Sequence, residues 1–167
     1  MNQRGFMLGY GDGNVGPQDT LTRAQFATLL WNLEGQHLPA GTESFTDVPK
    51  NAWFYNPVIW AAEKGVVAGV GNGLFDPNTP ITRQEVVQML YNFAVNFKSY
   101  SVPKNRDMPA YEDKGQIDEW ANTATEKLAE AGVLSAADGK LRFKDDATRG
   151  EVAGLFRNFL RFIAEAA

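Results

Sequence analysis

The 167-residue chain has no cysteine at all. Disulfide frameworks, cysteine-based zinc sites and a thiol nucleophile are thereby excluded. The absence assigns no compartment, since exported proteins can dispense with disulfides. Histidine is nearly as scarce. His37 is the single one, and it stands in a polar connector where it reads as a solvated loop residue rather than a catalytic base. No apolar run approaches the length of a membrane span. The opening "MNQRGFMLGYG" lacks the apolar stretch of a secretory leader, so a leader for export is not in this sequence. Positive charge is also short: 16 Lys and Arg against 20 Asp and Glu give a net charge of −4 and a pI near 5.0. Nucleic acid and anionic membranes as general partners need a basic field, which this composition lacks. What is present in quantity is apolar: at 44% hydrophobic the chain can bury one sizeable core or two small ones.

The chain is repetitive. "GYGDGNVGPQDTLTRAQFATLL", residues 9 to 30, returns sixty residues later as "GVGNGLFDPNTPITRQEVVQML", residues 69 to 90. Gly9, Gly11, Gly13, Pro17, Thr22 and Arg23 meet Gly69, Gly71, Gly73, Pro77, Thr82 and Arg83. A further shift of 66 reaches "DGKLRFKDDATRGEVAGLFRNF", with Thr148 and Arg149 in register, Ala137 in place of the middle glycine and Phe143 in place of the proline. After each Thr-Arg pair the apolar residues fall at i, i+3, i+4 and i+7: Phe26, Leu29, Leu30, Leu33; Val86, Met89, Leu90, Phe93; Val152, Leu155, Phe156, Phe159. That spacing predicts three amphipathic helices sharing a core.

A second segment precedes two of these loops. "FTDVPKNAWFYNPVIWAAEKGVV" (45–67) and "YEDKGQIDEWANTATEKLAEAGVL" (111–134) align through Asp47 and Asp113, Trp53 and Trp120, Gly65 and Gly132. Each predicts an aromatic-x-Asp turn, a helix and a glycine C-cap, with Pro57 in the first turn of its helix. The first copy has no such front half. The predicted organisation is a half repeat at 1–35, a connector at 36–44, a full repeat at 45–95, a longer connector at 96–110 and a full repeat at 111–167. The missing front half predicts an apolar face on the helix at 24–33 lacking a cover. Residues 96–110, the C-terminal helix or a second chain are the candidates to bury it.

Each Thr is followed three residues on by Gln25, Glu85 or Glu151, which makes a capping box. The arginines are less easily explained, because a cation opposes the helix dipole at an N-terminus. One reading packs Arg23, Arg83 and Arg149 over an aspartate of the next repeat, Asp47 or Asp113. The other holds each guanidinium beside backbone N–H donors to grip a ligand carboxylate. The two readings are compatible. Trp53 and Trp120 are likewise either core residues or platforms for a sugar ring. Rival motifs fail on spacing. A calcium loop from Asp12 would need an acid where Arg23 stands, G-x-G-x-G is not a dinucleotide fingerprint, and no phosphate-loop lysine follows. No catalytic constellation emerges, so the chain is expected not to be an enzyme and to need no cofactor or metal.

"FTDVPKNAWFYNPVIWAAEKGVVAGVGNGLFDPNTPITRQEVVQMLYNF" closely resembles an S-layer homology domain, in its F-x-D-V opening, its Trp, its G-x-G-N-G-x-F-x-P turn and its I-T-R-Q-E. The resemblance extends over nearly the whole chain as about two and a half repeats, the third carrying A-T-R-G-E. It implies an all-α, pseudo-threefold assembly with a central helical bundle and radiating helical prongs. It also implies an extracellular module of the cell wall or S-layer, bound non-covalently to secondary cell-wall polysaccharide through a pyruvylated amino sugar in inter-repeat grooves. On that pattern Arg23, Arg83 and Arg149 would meet the ligand carboxylate. Asp47, Asp113, Trp53, Trp120 and the backbone at Gly11 and Gly71 would line the grooves. The alternative is a structural or protein-interaction module in which glycan binding has lapsed.

Overall fold

A computed structural model describes residues 16–136 and 138–167. Among these the chain is helical, with isolated β-bridges and no sheet. The elements are α1 (Arg23–Leu33), α2 (Tyr55–Glu63), α3 (Arg83–Asn92) running on into a π-turn (Phe93–Phe97), α4 (Asn122–Glu130) and α5 (Arg149–Ala166), with 3₁₀ turns at Lys114–Gln116 and Glu119–Ala121. The three predicted capping boxes all form. Gly65 and Gly132 end α2 and α4 with positive φ of 71° and 84°. Each helix closes in the same way: Gly65 N–H donates to Ala62 O and Val66 N–H to Ala61 O, as do Gly132 to Ala129 and Val133 to Leu128.

The capping boxes occupy only part of each helix N-terminus, and the neighbouring repeats satisfy the rest. On α1 the Arg23 N–H donates to Thr79 O (3.0 Å) and the Ala24 N–H to Pro77 O (3.0 Å). On α3 the Arg83 and Gln84 N–H groups reach Asp145 O (3.0 Å) and Phe143 O (2.9 Å). On α5 those of Arg149 and Gly150 reach Asp19 O (2.7 Å) and Pro17 O (2.9 Å). Repeat one thus takes its acceptors from repeat two, two from three, and three from one. A second circuit runs the other way: Leu21 N–H donates to Ala147 O, Ala147 N–H to Ile81 O, and Ile81 N–H to Leu21 O. The three segments before the helices are joined in a closed ring.

Around this ring lies one apolar core. Phe26, Leu30, Val86, Leu90, Val152, Phe156 and Phe159 of the predicted stripes are fully buried or nearly so, and the Phe93 and Phe159 rings meet edge-on at 6.0 Å. Each Thr-Arg helix packs on the front helix of the following repeat, α1 on α2 and α3 on α4. This corrects the expectation of an uncovered α1: Phe26, Ala27, Leu29 and Leu30 are buried, and the cover is α2. Residues 96–110 do something else. Lys98 pairs with Glu34 at 3.0 Å, and Arg106 caps the end of α4 by donating to Ala129 O and Leu134 O, where a cation suits the helix dipole. On α5, Ala153 is half-buried where its counterparts Ala27 and Val87 are buried.

The connector 36–44 is exposed, His37 included, apart from half-buried Pro39, and is fixed by Glu63. That carboxylate accepts from the N–H groups of Ala40, Gly41 and Thr42 and from the Thr42 hydroxyl. Burial pushes its pKa up, but the bonds from Thr42, Ala40 and Gly41 outweigh it and leave the group below its ordinary 4.5. A depressed carboxylate stabilises the fold above its unfolded pKa and loses that contribution as pH falls through the folded value. Glu63→Gln should therefore melt below wild type at neutral pH. The gap should hold down to about pH 4.5 and close at lower pH, which a pH series of thermal melts would show.

Candidate functional site

Arg23 is sent from the first turn of α1 across to the second repeat. Its Nε donates to Phe75 O (3.0 Å) and Nη2 to Ala68 O (3.4 Å), while Nη1 pairs with Glu85. The guanidinium lies 4.8 Å over the Phe75 ring, a cation–π contact. Burial pulls its pKa below the ordinary arginine value, against the upward pull of Asp76 and Asp47; an arginine stays charged regardless. Three of the five guanidinium N–H groups are thus directed at protein acceptors, and up to two can reach a ligand. Arg83 repeats the arrangement one repeat on, with Nε to Leu141 O (2.6 Å) and Nη1 to Glu151 (2.8 Å). The arginine of one repeat is paired with the capping-box glutamate of the next. In the first repeat that glutamate position is Gln25, a neutral amide. Arg149 is buried, and its N–H holds Asp19 O.

Two expectations change here. The helix N–H donors are not open to a ligand beside the arginines, because capping threonines and neighbouring carbonyls take them. Nor are Asp47 and Asp113 the direct partners of the arginines. Asp47 accepts from the Phe75 and Asp76 N–H groups (2.9 and 2.7 Å), Asp113 from those of Leu141 and Arg142 (3.1 and 2.7 Å). Asp76 and Arg142 have positive φ, 64° and 50°, so each aspartate fastens a left-handed residue of its own repeat's turn.

A cavity of about 520 Å³ opens beside Arg23, lined by Arg23 from repeat one, Val66 to Val70 and four residues of α3 (Glu85, Gln88, Met89, Asn92) from repeat two, and Trp120 from repeat three. Its size falls within the range of about 300–1,000 Å³ usual for ligand pockets. Trp120 is 53% exposed. The turn that carries it is clasped from α3: Gln84 Nε2 donates to Asp118 (2.7 Å), and the Asp118 N–H donates back to Gln84 Oε1 (3.2 Å). Gly69 is needed in the cavity wall, since a Cβ there would come within 2.6 Å of Leu74 O and 2.9 Å of the Phe45 ring.

Arg83 faces a slot of about 20 Å³. Of the predicted residues, Arg23 and Trp120 therefore share one cavity, and Arg83 stands in a second. Asp47, Asp113, Trp53 and Gly71 line neither. Trp53 is 62% exposed, with its ring edge-on to Phe54 at 5.4 Å, and Gly71 turns the 70–74 hairpin with φ 108°. Gly11 lies outside the described residues. Sequence reasoning missed Glu85 as an arginine partner and Gln84 as a clamp. The recurrence of Arg with Glu or Gln two positions apart was the available signal. No group of residues suited to a metal occurs among the described residues, and no described helix is long and apolar enough to cross a membrane.

A chain whose Thr-Arg loops interlock in a ring and whose grooves lie between repeats is a repeat module. Comparison with known proteins gives the family. The model of the S-layer homology domain matches residues 1–27 and 44–87, and the chain belongs to that family. It is 30% identical to a "Surface-layer 125 kDa protein" of Lysinibacillus sphaericus, over 91% of this chain and 13% of that one. It is 29% identical to a "Middle cell wall protein" of Brevibacillus brevis, over 94% of this chain and 14% of the relative. An "Endoglucanase" of Bacillus sp. is 30% identical over 89% of this chain, which is 16% of the enzyme. The chain thus spans less than a fifth of each relative. Domains of this family are non-catalytic anchoring modules, and the endoglucanase carries the similar segment as a small part of its length.

Both arginines are fold contacts, to different degrees. The Arg23 and Glu85 side chains are 8% and 21% exposed, those of Arg83 and Glu151 17% and 40%. Urea unfolding should show Arg23→Ala losing about 3 kcal/mol, the cost of stranding one partner of a buried pair. Arg83→Ala should lose nearer 1 kcal/mol from its more solvated pair.

Proposed function

We propose that this chain anchors the protein that bears it to the bacterial cell wall, outside the cell, by binding secondary cell-wall polysaccharide non-covalently in the Arg23 groove. The observation that carries this reading is the meeting of Arg23 and Trp120, from the first and third repeats, in one cavity of ligand size. A pyruvylated amino sugar suits those walls. Its carboxylate would take the two N–H groups that Arg23 does not spend on protein, its C–H face would lie on Trp120, whose ring face carries partial negative charge, and Glu85 would accept from a hydroxyl. The family and the names of its surface-layer and cell-wall relatives support anchoring in general. The ring of interlocked loops supports a pseudo-threefold module that presents such grooves between repeats.

One observation favours a second reading, a structural or protein-binding module: the near-closure of the Arg83 groove, as expected if glycan binding had lapsed. Co-sedimentation with purified sacculi separates the two. The chain should pellet with intact walls and stay in solution once the secondary polymer is stripped. Trp120→Ala should weaken pelleting about tenfold or more, equivalent to 1.4 kcal/mol, without lowering the melting temperature, because the ring is half exposed. Failure to pellet with any polymer-bearing wall would leave the structural reading.

A further inference from the structure

We infer that, of the two grooves described, the Arg23 groove alone admits glycan, and that Val87, Leu134, Ser135 and Phe143 shut the Arg83 groove. The inference rests on the glycan-binding reading above and assigns it to one site. The two grooves are built from equivalent positions, so their walls can be compared residue by residue. The helix ends set the register: Gly65, Val66 and Val67 match Gly132, Val133 and Leu134, so where the second repeat has Val67 and Ala68 the third has the bulkier Leu134 and Ser135. Leu134 is buried at 3% exposure and lines the slot. Val87 and Phe143 line the narrow slot, whereas their counterparts Ala27 and Pro77 form no part of the wider cavity's wall.

All four changes add side-chain volume, and together they accompany a fall from about 520 to about 20 Å³. A space of that size holds about one water and no sugar ring. The aromatic wall differs too. Trp120 faces Arg23 across the larger cavity, and no tryptophan lines the slot at Arg83. Against this stands the greater exposure of the Arg83 side chain, 17% against 8% for Arg23. Exposure lets water reach the guanidinium but supplies no walls, and affinity for a sugar needs both. Arg83 thus ties repeats two and three together, and Arg23 both ties and binds.

The test adds bulk to the wall of the open groove. Polymer fragments released from bacterial walls are titrated calorimetrically into wild type, Ala68→Leu and Ser135→Trp. Ala68→Leu adds bulk at an exposed position, so its melting temperature should hold while its affinity falls about tenfold or more. Ser135→Trp, which covers the mouth of the Arg83 slot, should bind as wild type does. Loss of binding in Ser135→Trp, or wild-type affinity in Ala68→Leu, overturns the assignment and leaves the anchoring function standing. A wild type that binds no wall polymer overturns the anchoring function and this inference with it.

Discussion

Everything in this fold depends on how three helix N-termini dispose of their unpaired N–H groups. A helix start leaves four such donors, and burying one without a partner costs about 1–3 kcal/mol. Here the capping-box Gln or Glu takes the N-cap N–H, the threonine side chain that of the third helical residue, and loop carbonyls of a neighbouring repeat the two between. Because the neighbour relation runs from repeat one to two, two to three and three back to one, no repeat completes its own helix start. The positive charge of an arginine at the first helical position becomes tolerable in that setting. The N–H dipoles are already matched by carbonyls, and for Arg23 and Arg83 a glutamate of the next repeat faces the guanidinium.

One device therefore serves two purposes. The Thr-Arg-x-Glu turn supplies the capping box within its own helix and an ion pair between helices, with Glu85 accepting from Thr82 and from Arg23 at once. Grooves arise as a by-product, because an arginine reaching across to the next repeat leaves space beside its stem. Whether that space stays open depends on the small residues around it. Ala27 and Pro77 stay clear of one groove, whereas their bulkier counterparts Val87 and Phe143 line the other. The repeats have kept the ring while their grooves diverged, as expected when ring contacts are shared by all three repeats and groove walls are not.

Features set by a few adjacent residues were legible in the sequence. The capping boxes at Thr22, Thr82 and Thr148, the glycine ends at Gly65 and Gly132 and the buried faces of α1, α3 and α5 all follow from spacing alone. Features that depend on which repeat touches which were not. Which front helix covers which Thr-Arg helix could not be read from spacing: α1 packs on α2 and α3 on α4, each on the front helix of the repeat that follows it. The same ordering hid the Arg23–Glu85 pair, whose members are local to different repeats. It hid as well that Asp47 and Asp113 spend both carboxylate oxygens on their own turns. The meeting of Arg23 with Trp120 was not legible for the further reason that it joins the first repeat to the third.

The closed circuit also sets how such a chain can reach its native state. In an open solenoid each repeat leans only on its neighbours, so a stable piece can form early and grow from either end. Here the bond from Leu21 to Ala147 links segments near opposite ends of the chain. The loop entropy of that closure must be met before the ring is complete. A nascent chain ending after the second repeat would have no acceptors for the Arg83 and Gln84 N–H groups and none for the Leu21 N–H. Folding is thereby deferred until the last repeat is present, and slowed by the predominance of distant contacts.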